Sequence, residues 1–132
     1  MREFGTFQVK APAREAFEFF TPSGERRWAP GWDPRFPAPP VDETAPGTVF
    51  TTLHSGQETI WVVTAREPGH CISYARVTPH ERAGTIEVRC VDVGDDTTRV
   101  EVTADLTPLD GTGVESYAQY LATWERLIAA AL

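Results

Sequence analysis

The chain has 132 residues, 41% hydrophobic and 11% aromatic, enough apolar material to build one core without a disulfide scaffold. Its 12 basic and 19 acidic side chains give a formal charge of -7, which excludes a nucleic-acid backbone as partner because phosphate binding needs clustered Lys and Arg. No stretch approaches the ~20 apolar residues of a membrane span and MREFGTFQVK lacks a signal peptide's apolar centre, so the expected setting is cytoplasmic, without membrane insertion.

Residues 3–9 alternate, with Phe4, Thr6 and Gln8 on one face and Gly5, Phe7 and Val9 on the other, which predicts a first strand. APAREAFEFF then changes period. Pro12 can open a helix without losing a hydrogen bond, and Ala13, Ala16, Phe17 and Phe20 fall at i, i+3, i+4 and i+7. Thr21, Pro22 and Ser23 supply N-cap chemistry for a second short helix through GERRWA. PGWDPRFPAPP carries five of the 11 prolines and reads as an ordered loop with at most a brief edge strand, its Trp32 and Phe36 requiring something to pack on.

From residue 48 the pattern is a meander: TVFTTLH, ETIWVVTARE, HCISYARVT, GTIEVRCVDV and TTRVEVTADLTPL. Turn signals at Ser55-Gly56, Pro68-Gly69, Pro79 to Gly84 and Gly94-Asp95-Asp96 make the neighbours antiparallel. In the last strand Val100, Val102, Ala104 and Leu106 face one way and Arg99, Glu101, Thr103 and Asp105 the other, so one side of the sheet is wet. Thr112 and Glu115 form a capping-box pair ahead of a helix running almost to Leu132, with Val114, Tyr117, Leu121, Trp124 and Ile128 on one stripe. A sheet with one wet face must cover the other, and this helix is the element long enough to do so. The expectation is therefore an α+β domain over 1–132, with a curved antiparallel sheet of six to seven strands around a long C-terminal helix and two short helices after strand 1.

The segments APAREAFEFFTPSGERRWAPGWDP, GxxFTTxHxGxETIWVVT, YARVTPxxRAGTIEVRC and YxxYLATWERLI resemble the SRPBCC proteins of the START-like superfamily, relatives of polyketide cyclase/dehydrase and lipid-transport domains. The resemblance spans nearly the whole chain. It implies a helix-grip fold and a cavity between sheet and terminal helix, and it places the WAPGW turn near the entrance. It does not select among carriers, receptors, cyclases, hydrolases and co-chaperone domains. The DGTG connection before the last helix is shorter than in many relatives, which bears on how far the cavity is covered.

Trp28 and Trp32 flank the WAPGW turn, where they either stack on a flat ligand or close the end of the core. Phe20, Phe50, Trp61, Tyr74, Tyr117 and Trp124 are wall candidates, and if Trp61 points inward then Val63 does too, with Ile60 and Val62 outward. His54 ends the first meander strand and, with Tyr74, is the candidate for proton transfer, although no second group is placed by spacing to complete a catalytic pair. His70 and His80 read as solvated turn residues. Arg26-Arg27, Asp95-Asp96 and Glu81-Arg82 read as exposed turns, and Arg76 and Arg89 as outer-face residues. An inward arginine would call for a carboxylate-bearing ligand.

Cys71 and Cys90 read as reduced core thiols, lying across from each other only if the turn between them centres between His80 and Glu81. No metal-ligand spacing, P-loop, GxGxxG or GxSxG motif occurs, so no metal or other cofactor is expected. The leading expectation is a module binding a small hydrophobic or aromatic molecule. A cyclase/dehydrase- or hydrolase-like enzyme using the same cavity and a co-chaperone-like interaction domain stand as alternatives. A homodimer through a strand edge or the proline-rich loop fits the same sequence.

Overall fold

The computed structural model describes residues 2–111 and 118–132. The elements follow in the order β1 (Arg2–Val9), α1 (Ala13–Glu18), a 3₁₀ turn (Gly24–Arg27), β2 (Val49–His54), β3 (Gln57–Glu67), β4 (Cys71–Thr78), β5 (Arg82–Gly94), β6 (Thr97–Pro108) and α2 (Ala118–Ala131). The six strands make one antiparallel sheet, ordered β1-β6-β5-β4-β3-β2. Thr112, Glu115, Val114, Tyr117 and the second half of the DGTG connection lie outside the described residues. No helix among the described residues is long and apolar enough to cross a membrane.

Local chemistry explains most boundaries. β2 and β3 join through Ser55 and Gly56, both with positive φ (51° and 81°), the turn whose twist matches that of the flanking strands. The second short helix tightens to 3₁₀, and Thr21 starts it: its hydroxyl takes the Gly24 N–H at 3.1 Å and donates to the Glu18 carbonyl at 2.9 Å. The proline-rich loop contributes one bridge, in which Arg35 and Thr51 exchange backbone hydrogen bonds of 2.9 and 2.8 Å beside the edge strand β2.

The predicted alternation holds strand by strand. Phe7 and Val9 of β1, Val63 of β3 and Val100, Val102, Ala104 and Leu106 of β6 are buried, while Phe4 and Ile60 face solvent. α2 lies on the concave face, seating Leu121 and Ile128 in the core. It comes so close to β1 that a Cβ on Gly5 would stand 2.3 Å from the Leu121 Cδ1 atom. Glu125 fastens this contact by accepting the Gln8 N–H at 2.9 Å. A second close approach sits within the sheet, where a Cβ on Gly84 would meet the Asp105 carbonyl oxygen at 2.0 Å and Leu106 Cα at 2.9 Å.

Two readings of charged residues are corrected. Arg76 is 6% exposed and faces the concave side, because β4 turns Ile72, Tyr74, Arg76 and Thr78 to the same face. Glu81 and Arg82 are half-buried rather than on an open turn, their side chains 3.5 Å apart. Arg89 faces outward beside Glu87, as expected. The register pairs Cys71 with Arg89, so the β4–β5 turn centres on His80 and the thiols occupy opposite faces as free cysteines.

Gly84→Ala is expected to destabilise by about 1–3 kcal/mol, since the obstructing atoms are backbone and cannot swing away. The check is a lowered urea midpoint with unchanged slope. Burial pushes the Cys90 thiol up to about 12, so the unfolded chain gives up this proton first, near its ordinary pKa of about 8.5. The contribution is fully present below about 8.5 and lost as pH climbs towards about 12. Cys90→Ala should flatten the alkaline fall in stability measured by denaturation at successive pH values.

Candidate functional site

In an antiparallel sheet, side chains of one face line up in rows across the strands. Here Phe50, Trp61, Arg76 and Gly84 make one row across β2 to β5. Beside it runs an apolar row of Val63, Tyr74, Ile86 and Ala104. On its other side Thr52 pairs with Thr59 and Thr78 with Arg82, and the hydroxyls of Thr59 and Thr78 hydrogen-bond at 2.6 Å. The concave face thus grades from apolar through aromatic to polar, with the Arg76 guanidinium at the boundary. That cation lies 5.1 Å over the Trp61 ring, and its Nη2 donates to the Thr78 hydroxyl at 2.6 Å.

Two groups of aromatic rings build the walls. Phe7, Phe20, Trp28 and Trp124 join β1, the α1 exit, the 3₁₀ turn and α2 through edge contacts of 5.6–6.5 Å. Trp32, Phe36, Phe50, Trp61 and Tyr74 join the proline-rich loop to β2, β3 and β4, with Phe50 and Trp61 stacked at 5.8 Å. Between the two groups lies a cavity of about 220 Å³, lined by Trp28, Trp32, Phe50, Trp61, Tyr74 and Trp124 together with Glu25, Ala29, Arg76, Ile86 and Val88.

The polar tips of these rings are tied to the backbone after α1. The Trp28 indole N–H donates to the Phe19 carbonyl, the Tyr74 hydroxyl to the Phe20 carbonyl and the Trp32 indole N–H to the Pro22 carbonyl, each at 2.7 Å. Trp61 donates to the Thr52 hydroxyl at 2.9 Å. Burial holds the Tyr74 phenol well above its ordinary pKa, with the Glu25 and Glu43 charges acting in the same direction.

The structure therefore brings six of the nine candidate site residues to one cavity: Trp28, Trp32, Phe50, Trp61, Tyr74 and Trp124. Phe20 is buried one layer behind, against Phe7 and Trp28. His54 is exposed and lines a separate, polar vestibule of about 230 Å³ with Thr52, Thr59, Thr78 and Arg82, which shares Trp32, Trp61 and Arg76 with the aromatic cavity. Tyr117 lies outside the described residues. His70 and His80 are exposed. Among the described residues no three His, Cys, Asp or Glu side chains gather where they could hold a metal ion.

Five lining residues were not among the sequence candidates, and two of them, Arg76 and Glu25, are charged. Arg76 looked outward between Ala75 and Val77. Glu25 was not singled out within the helix predicted through GERRWA, yet residues i and i+3 eclipse in a 3₁₀ turn, and this aligns Glu25 with Trp28. The Trp28 N–H donates to the Glu25 carbonyl at 3.2 Å, and both side chains face the cavity. Burial raises the Glu25 carboxyl well above the usual carboxylate range.

This architecture recurs in solved structures. CalU16 from Micromonospora echinospora superposes with a TM-score of 0.67 at 20% identity, over 96% of this chain and 71% of its own. MLL2253 from Mesorhizobium loti gives 0.73 at 15% identity, over 99% and 93%. An Aha1 dimer from Colwellia psychrerythraea gives 0.67 at 13% identity, over 98% and 92%. At these identities the likeness concerns the fold. No curated protein matches the sequence. The sequence profile described as "Polyketide cyclase / dehydrase and lipid transport" matches residues 5–131, and the chain accordingly belongs to that family.

Proposed function

We propose that the protein binds a small, flat, apolar or aromatic molecule between the sheet and α2. The observation that carries this reading is the cavity between two groups of rings, into which all four tryptophans of the chain project. Flat, largely apolar walls with a few polar groups are the usual make-up of a small-molecule site. At about 220 Å³ the space falls below the roughly 300 Å³ at which drug-sized pockets begin, so it suits one or two rings rather than a long acyl chain or a polycycle. The polar vestibule at Thr59, Thr78 and Arg82 gives a substituted ring a wet end towards which to turn.

Ile86 offers a way to close the space, since it lines the cavity from β5 without carrying a polar tie. Ile86→Trp should weaken binding of ethylnaphthalene, followed by calorimetry, by tenfold or more while the thermal midpoint stays near that of the parent. Unchanged affinity in that variant, or no binding to the parent at saturation, would refute the reading. Tyr74→Phe leaves the Phe20 carbonyl without its donor, and the expected loss is about 1–3 kcal/mol of stability with little change in affinity for the same hydrocarbon, read by urea denaturation and calorimetry.

A further inference from the structure

A carboxyl group facing aromatic rings costs free energy unless something satisfies it. Glu25 is such a group, and among the described residues its carboxyl has no hydrogen-bond or ionic partner. The adjacent arginines are engaged elsewhere: Arg26 pairs with Asp33 at 2.9 Å, and Arg27 lies 4.3 Å over the Phe19 ring. Carboxyls perturbed in this way gather at functional sites.

The remaining polar groups on the wall define what is missing. The indole N–H groups of Trp28, Trp32 and Trp61 and the Tyr74 hydroxyl already donate to protein acceptors. Arg76 offers donors only, and its permanent positive charge opposes a cationic ligand. A neutral carboxylic acid adds one more donor. The complement to such a wall is an uncharged ring system bearing an acceptor oxygen.

We propose that the Glu25 carboxyl, which faces the cavity, orients the ligand by donating a hydrogen bond, and that the ligand is a small aromatic carbonyl compound whose oxygen accepts that bond. This inference rests on the cavity being a binding site and names the chemistry it selects. Among the described residues the other titratable or charged groups on the cavity wall are Tyr74 and Arg76 from β4; Glu43, which also acts on Tyr74, is held by the Ser23 N–H and hydroxyl at 2.9 and 2.5 Å. Because the folded protein raises the Glu25 pKa, the donor is present below that raised value. As pH rises through it the proton leaves, and the carboxylate repels the carbonyl oxygen.

The test compares methyl naphthyl ketone with ethylnaphthalene, two compounds of similar shape of which only the first has an acceptor. Calorimetry gives the ratio of their affinities for the parent, Glu25→Leu and Glu25→Gln. Relative to the parent, the ratio should shift roughly fivefold against the ketone in Glu25→Leu, as one lost hydrogen bond implies, with folding of each variant checked by a cooperative urea transition. Glu25→Gln, which still donates through its amide, should keep the ratio and lose its decline with rising pH. A ratio unmoved by Glu25→Leu, or a parent ratio that does not decline as pH rises, would overturn the role of Glu25 while leaving the cavity standing. Failure of both compounds to bind the parent would overturn the two proposals together.

Discussion

The site depends on what happens to three carbonyl groups. A helix leaves its last carbonyls without intrahelical partners, and α1 is only six residues long, too short to hold itself together in water. Phe19, which caps α1, and Phe20 and Pro22 just beyond it likewise present carbonyls that no helix bond satisfies, and Trp28, Tyr74 and Trp32 supply the donors. Each bond contributes roughly 1 kcal/mol net, and each donor or acceptor left buried without a partner would cost more than that. The three donors come from the 3₁₀ turn, the centre of the sheet and the proline-rich loop, so one helix end locks these separate segments together. The rings then have fixed tips, and their faces are left to form walls.

Much of this fold was legible because period and punctuation agreed. The alternation in TTRVEVTADL, the two-residue turn at Ser55-Gly56 and the 3-4 spacing through Leu121, Trp124 and Ile128 each admit few conformations, and the structure shows all three. The inward parity of Trp61 and Val63 also followed once a single register was assumed, and the irregularity in β3 falls just beyond them, between Val63 and Ala65. The aromatic wall was readable in kind, since large rings in a chain of this size must gather somewhere. That they divide into two groups with a space between them was not readable, because side-chain order along the chain does not say which rings meet.

The misread residues share a physical cause: charge in a local window says little about burial when the compensation comes from elsewhere. Arg76 looked outward because it alternates with apolar neighbours along its strand. What permits its burial is the Trp61 face across the strand pair, the Thr78 hydroxyl two residues on, and Gly84 beside it in the row, where no side chain competes for space. Trp61 and Gly84 become neighbours of Arg76 only through strand pairing. Glu25 followed a similar course, since a 3₁₀ turn differs from an α-helix by a fraction of a residue per turn, and that fraction decides which side chain accompanies Trp28.

The same ties explain why the space between the ring groups persists. Collapse would bring Trp28 and Trp124 onto Trp32 and Trp61, gaining apolar contact across about 220 Å³. To do so it would have to pull Trp28 or Trp32 away from the carbonyls they satisfy, or lift α2 from β1, where Leu121 already fills the room above Gly5. Edge-on ring pairs add to this resistance, because each holds its partner at a preferred angle and is worth about 0.5–1.5 kcal/mol beyond area burial. A cavity held open by bonds at its rim is organised before anything enters it. A ligand of the proposed kind would therefore meet fixed walls, and little of its interaction free energy would be spent on ordering the protein.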